Sequence, residues 1–140
     1  MDNEILGRFS PLLKEALSER LVSFESISVE IDFEPIYVFR KLRGSSVEDY
    51  DFKSHAERVG KEKINKWPHK NDINYYNCSF FTNLDFLKNI FNRSKSPFFA
   101  CGTINKTHGV IHRDKDFHIG CWLFENSNIK DCFNVIQEHC

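Results

Sequence analysis

Two apolar runs, residues 98–104 and 117–124, constrain this chain more than anything else in it. Each has the length of a β-strand and is bounded by polar or proline-containing sequence. They read as two neighbouring strands joined by a polar loop, 105–116. Three of the six histidines (His108, His112, His118) and two of the five cysteines (Cys101, Cys121) fall within this stretch. Strands that apolar must be covered on both faces, so the rest of the chain is read for what packs against them.

Ser10-Pro11 is a helix start, with serine as cap and proline at the first helical position. Leu13, Leu17 and Leu21 continue it at a spacing of four, to about Leu21. Ile27, Val29, Ile31 and Phe33 alternate with polar residues as a half-buried strand would. Residues 36–42 form a denser strand after Pro35, and Gly44-Ser45-Ser46 turns the chain. A polar segment, 49–66, reads as helix interrupted at Gly60, and Trp67-Pro68 ends it. Residues 75–81 read as another strand. Thr82 then caps a helix with Leu84, Leu87, Ile90 and Phe91 on its apolar stripe. A last helix is expected from Asn126 or Ser127, with Ile129, Cys132, Phe133 and Ile136 on one face.

That order predicts a single α+β domain over residues 1–140. It would hold a mainly antiparallel mixed sheet of about five strands, with three to four helices packed on it. A chain of 140 residues can bury a core without disulfides or metal. The cysteines are odd in number and show no close pair, and the mixed, acidic opening residues do not resemble a signal peptide. A reducing, cytoplasmic setting with free thiols is therefore expected, and no apolar run is long enough for a membrane span. The net charge of −1 excludes the overall basic excess of a general nucleic-acid binder. It hides a division, however, since residues 53–70 carry six lysines and arginines against two glutamates.

Four constellations of residues bear on chemistry. His108, His112 and His118 with Cys101 and Cys121 are zinc-type ligands, but their spacing forms no knuckle, and solvent-facing or hydrogen-bonded histidines are the plainer account. No metal and no cofactor is expected. Cys78, Cys101 and Cys121 lie in apolar strands, where cysteine behaves as a small hydrophobe, so no catalytic thiol is expected. The basic segment, through Lys61, Lys63, Lys66 and Trp67, offers charge beside an aromatic ring, the combination that binds nucleic acid; a solvated helix face is the alternative. Finally, Arg40, Ser79, Thr82 and Glu125 sit at strand ends and at a helix start, where a diphosphate or ribose can be held.

The order of that last set resembles the ADP-ribosyltransferase pattern. In that family an arginine or histidine on the first core strand precedes a Ser-x-Ser/Thr strand that leads into a helix, and a glutamate follows. Here the middle element reads Ser79-Phe80-Phe81-Thr82, one residue longer, and Leu123 stands where many members place an acidic residue or glutamine. The resemblance implies a site for NAD or ADP-ribose. With no tightly spaced reactive set and with charge divided along the chain, the leading expectation is a small non-enzymatic binding protein. It would be an inhibitor of immunity-protein or antitoxin type whose partner is a toxin or effector protein, with nucleotide or nucleic acid as the alternative ligand. The expected binding positions are Arg40, Ser79, Thr82, His108, His112, His118, Trp122 and Glu125.

Overall fold

Val38 and Leu42 alternate with Phe39 and Lys41, so β1 (Ile36–Lys41) and the residue after it present apolar side chains to one face. In the computed structural model, which describes residues 1–64, 66–94 and 97–136 without the side chains of Lys61 and Ile64, β1 lies inside one antiparallel sheet. Its neighbours are β2 (Cys78–Phe81) and β3 (Phe99–Ile104). The sheet is completed by β4 (Gly109–Arg113), β5 (His118–Leu123) and β6 (Phe133–Val135), in the order β4-β5-β2-β1-β3-β6. The fold is α+β, with six strands where the sequence suggested about five.

This order corrects the leading sequence expectation. The runs 98–104 and 117–124 do form β3 and β5, but β2 and β1 lie between them. The segment expected as a loop contains β4, because Val110 and Ile111 are buried on opposite faces and neither flank can leave the sheet. Residues 114–117 turn between β4 and β5, and residues 105–108 turn before β4. There His108 N donates to Asn105 O (3.0 Å), and the Asn105 side chain accepts from Thr107 N (2.9 Å).

That short turn bends the whole sheet. Strands β3 and β4 stand four positions apart, about 19 Å on a flat sheet at ~4.8 Å per strand. A four-residue turn spans less than about 7 Å. The sheet must therefore curl until β4 approaches β3. The space it encloses holds one apolar cluster, including Val38, Phe80, Ile104, Ile111, Cys121, Phe52 and Phe133.

The opposite face is covered at the β4–β5 end by a second cluster around Trp122. It includes Phe9, Leu13, Ile73, Tyr76 and Val110. The Trp122 indole donates to Ile73 O (2.9 Å), so its one polar atom is satisfied in the core. The helix that supplies Leu13, α2 (Pro11–Ser18), follows the short α1 (Asn3–Leu6) and stops three residues before Leu21. Arg20 has a left-handed φ of 59°, and both Leu21 N and Val22 N turn back to Ala16 O.

Other departures have equally local causes. The alternation 27–33 is not a strand, because Ile27 and Val29 pack on the Trp122 cluster while Phe33 joins the enclosed one. Only Glu30 pairs, with Ile111 at the free edge of β4. The 49–66 helix divides into a 3-10 turn (Asp49–Phe52), α3 (His55–Val59) and α4 (Lys61–Ile64), with Gly60 at φ 87° between the last two. Strand β2 starts late because Asp72 caps a 3-10 turn, Ile73–Tyr76. Helix α5 (Leu84–Ile90) is capped by Asn83, whose side chain accepts from Phe86 N (2.9 Å). Thr82, expected as that cap, instead donates its backbone N–H to Phe117 O (2.9 Å).

The expected C-terminal helix is a 3-10 turn (Ile129–Cys132) followed by β6. Its apolar residues are drawn onto β3, where Phe133 pairs with Gly102. A Cβ at Gly102 would lie 2.4 Å from Cys132 O and 2.7 Å from the Phe133 ring. Gly102→Ala is therefore expected to destabilise the protein by about 1–3 kcal/mol through overpacking. A lowered urea midpoint with an unchanged slope would confirm this, and an unchanged midpoint would contradict it.

Candidate functional site

The two middle strands barely pair. Strands β1 and β2 share the single register pair Phe39–Phe81. Had the ladder continued, Lys41 would face Ser79. Instead the strands part, and the Arg40 side chain fills the opening. Its Nη1 donates to Ser79 O at 2.5 Å, its Nε donates to Asp51 O, and its guanidinium lies 5.7 Å from the Phe80 ring centroid and 5.9 Å from that of Phe52. Both hydrogen-bond acceptors are neutral carbonyls. Burial lowers the Arg40 pKa, with the Arg58 charge adding to the effect, yet arginine keeps its proton at neutral pH.

A groove of about 790 Å³ opens over this gap. On one side it runs over Ser79, Gly120, His118 and His112, which share a sheet face by register. On the other it is walled by the loop that follows β1. Arg40, Lys41, Arg43, Lys53 and Arg58 all line it. Three of them crowd one ring, with Arg43 4.3 Å, Arg58 5.0 Å and Lys53 5.9 Å from the centroid of Tyr50.

Among the described residues, none of these five cations forms an ion pair within 4.0 Å. The nearby carboxylate of Asp51 is fully buried and already committed, accepting from Arg43 N (3.0 Å) and Glu48 N (2.9 Å). It braces the loop while leaving most of the positive charge unanswered. Five cations thus line the groove against two carboxylates, Asp51 and Asp114, and a concave surface with such an excess of one sign focuses its field and draws in counter-charge. The volume falls in the range of small-molecule and cofactor sites.

The sequence-derived positions divide cleanly by place. Arg40, Ser79, His112 and His118 line the groove. Thr82 follows β2, with its hydroxyl 3.5 Å from Phe117 O. His108 is buried in the 105–108 turn, where its Nδ1 accepts from Asn105 N (3.0 Å), and Trp122 is core. Glu125 lines a separate depression with Ser10, Pro11 and Asn128. The three-point arrangement implied by the ADP-ribosyltransferase pattern is thus not brought together in one groove. Of the basic segment, Lys63 and Lys66 are exposed outside the groove, and the Lys61 side chain is outside the described residues. Trp67 packs on His55 (5.0 Å) and Tyr75 (6.5 Å).

No family model matches the chain, and no curated protein or solved structure matches it. Any chemistry must be argued from the residues themselves. Among the described residues, no three histidine, cysteine, aspartate or glutamate side chains gather where they could hold a metal ion. Burial pushes the Cys78 and Cys121 thiols up, so they stay protonated. One thiol does meet an imidazole, Cys132 Sγ lying 3.4 Å from His108 Nε2. Because His108 Nδ1 accepts a backbone N–H, the neutral ring carries its proton on Nε2 and donates to the sulfur. That imidazole cannot also serve as a base for the thiol.

Several residues escaped the sequence reading. Lys53 and Arg58 belong to the basic segment that was singled out, but the cations expected to matter there were later ones. Asp114, expected as a turn residue, approaches His118, with its Oδ2 3.6 Å from the ring Nδ1. Tyr50 and Asn77 carried no local signal.

Burial lowers the pKa of both His108 and His118, opposed in His118 by Asp114. The unfolded chain therefore takes up protons near pH 6.5 that the folded imidazoles refuse. Folding stability is expected to be fully present above about pH 6.5 and to decline as the pH falls below it. Urea midpoints at pH 7.5 and 5.5 measure this. His118→Asn should narrow the difference between them, and an unchanged difference would remove His118 from the account.

Proposed function

We propose that this protein is a binding module for a phosphate-bearing small molecule of nucleotide size, held in the basic groove. The observation that carries the reading is the set of five cations around one concavity, in excess over the Asp51 and Asp114 carboxylates there and without an ion pair among the described residues. Like charges kept together without counter-ions cost folding stability, and their arrangement around a groove is most simply explained by an anionic occupant. Arg40, Arg43 and Arg58 supply planar donors suited to phosphate oxygens. Tyr50, Tyr75, Phe81 and Phe91 along the same groove offer apolar rings to the rest of such a ligand.

The nucleotide reading suggested by the ADP-ribosyltransferase pattern keeps Arg40 and Ser79 as contacts and leaves out Glu125. The alternative expectation, an inhibitor that docks a toxin or effector protein, draws support from a different feature. Ile90 and Phe91 are exposed at the end of α5, and Phe91 also lines the groove. An acidic partner segment with an apolar anchor would suit that rim. Among the described residues no helix is long and apolar enough to cross a membrane. A cytoplasmic setting fits the opposed cysteines Cys78 and Cys121, which pair in register across β2 and β5 and remain free thiols.

Calorimetric titration with pyrophosphate, ADP and ADP-ribose tests the small-anion reading. Binding is expected in the micromolar range at low salt, weakening as salt rises. The double substitution Arg43→Ala with Arg58→Ala, both exposed, should weaken it by at least about tenfold while leaving the melting temperature nearly unchanged, since exposed substitutions cost little stability. Absence of binding by all three anions would reject the proposal.

A further inference from the structure

The hydroxyl of Ser79 lies 2.9 Å from Nε2 of His118, and Nδ1 of the same ring faces Oδ2 of Asp114 at 3.6 Å. Nucleophile, base and carboxylate thus stand in series inside the groove. The sheet register produces this arrangement. Ser79 pairs with Gly120 and Phe81 with His118, so Ser79 and His118 are diagonal neighbours on one face. Asp114 comes from the turn between β4 and β5, where its N–H is tied to His118 O (2.9 Å) and its Oδ1 to Lys115 N (2.8 Å). Its Oδ2 is left for the imidazole.

The surroundings suit reaction more than simple packing. Gly120 carries no side chain directly across from Ser79, and the Asn77 amide occupies that position. A Cβ on Gly120 would come within 2.5 Å of Asn77 Nδ2. The Asn77 amide therefore lies over the residue facing the nucleophile; its Nδ2 donates to Asn74 Oδ1 (3.5 Å) and has a second N–H for charge that develops on a substrate carbonyl oxygen. The Lys115 N–H holds Asp114 below its usual carboxylate range, with His118 and His112 contributing. Burial keeps His118 neutral. A neutral ring that keeps its proton on Nδ1, facing the carboxylate, presents a lone pair on Nε2 to the serine hydroxyl. The cationic end of the groove adjoins the same residue, since Arg40 donates to Ser79 O.

We propose that Ser79 and His118 are catalytic and Asp114 positions the imidazole, so that the groove hydrolyses a carboxylic ester bearing a phosphate group. The substrate class rests on the anion-binding reading above, and the serine chemistry does not. Ser79 Oγ attacks the ester carbonyl carbon as His118 Nε2 takes the hydroxyl proton, and the carbonyl π pair moves onto oxygen beside Asn77. The tetrahedral adduct collapses, the bond to the alcohol oxygen breaks, and His118 returns the proton to that leaving alcohol. Water then adds to the acyl-serine with His118 again accepting a proton. Collapse restores the Ser79 hydroxyl and releases the carboxylic acid. The sum is ester plus water giving acid plus alcohol.

A fluorophosphonate probe, which phosphonylates activated serines, tests the relay in the full chain, with the modified peptide located by mass spectrometry. Labelling is expected at Ser79 and nowhere in Ser79→Ala. His118→Asn should slow it about 100-fold or more. The labelling rate should rise with pH through a midpoint below the ordinary histidine value, His118 being flanked by Asp114 and His112 as its titratable neighbours. Asp114→Asn should shift that midpoint, with Asp114→Glu restoring it in part, whereas a merely structural carboxylate would leave it in place.

Pyrophosphate should slow labelling of the wild type. No labelling of Ser79 in a protein that still binds pyrophosphate would overturn the relay and spare the anion site. Labelling with no binding of, or protection by, pyrophosphate would keep the relay and overturn the substrate class. Equal labelling of wild type and His118→Asn would also overturn the relay.

Discussion

The Arg40 guanidinium bridges the one place where the sheet nearly comes apart. Strands β1 and β2 share a single register pair. Beyond it, the Ser79 carbonyl would have no ladder partner from β1 without Arg40 Nη1, and a buried carbonyl left unpaired costs about 1–3 kcal/mol. The same side chain fixes Asp51 through its backbone oxygen, and Asp51 in turn braces the loop through Arg43 N and Glu48 N. Sheet, loop and groove wall thus depend on one cation in the opening between two strands.

Curling is what makes that opening possible. A flat antiparallel sheet would carry the β1–β2 ladder along the full length of both strands. Joining β3 to β4 through a four-residue turn forces the edge strand β4 toward β3. The enclosed cluster, with Phe52, Phe80 and Phe133 in ring contact, fills the space inside. The polar groove then forms on the outside, over the gap. The two apolar clusters lie on opposite faces, which is why β4 and β5 carry buried residues in succession and little of the usual alternation of a one-sided strand.

Strands whose signal was local could be read from the sequence. The runs that became β1, β3 and β5 are each apolar, continuous and bounded by proline or polar residues. Strand β4 was hidden because it is short and set among histidine, arginine and aspartate. Only the buried pair Val110-Ile111 marked it. The C-terminal residues have helical spacing of apolar groups, yet Gly102 on a distant strand offers the Phe133 ring a seat that no local rule reveals. Pro11 opens α2 as expected, with Ser10 at the cap position but without a side-chain capping bond, while the cap of α5 moved one residue, from Thr82 to Asn83.

The groove followed the same division. Arg40 and Ser79 stood out as strand residues of the right chemistry, and His118 as one of a histidine group. What joined them was pairing across strands 39 residues apart in sequence, and their partner Asp114 lies in a turn that looked ordinary. Register carries that information, and register is set by the whole curled sheet.

The cations at the groove also set a limit on how it can work. Arg40 is held by neutral carbonyls in the interior, and Arg43, Lys53 and Arg58 share one tyrosine ring without counter-ions among the described residues. The Asp51 carboxylate offsets part of that charge but is held in place by backbone N–H groups. An anion entering the groove would neutralise charge that folding has left exposed, so its binding energy and the stability of the β1–β2 opening are linked through Arg40. The phosphate of a substrate would then both anchor the molecule and steady the Ser79 backbone, whose carbonyl Arg40 already holds. In this arrangement the group that completes the sheet is also the group that couples ligand charge to the position of the nucleophile.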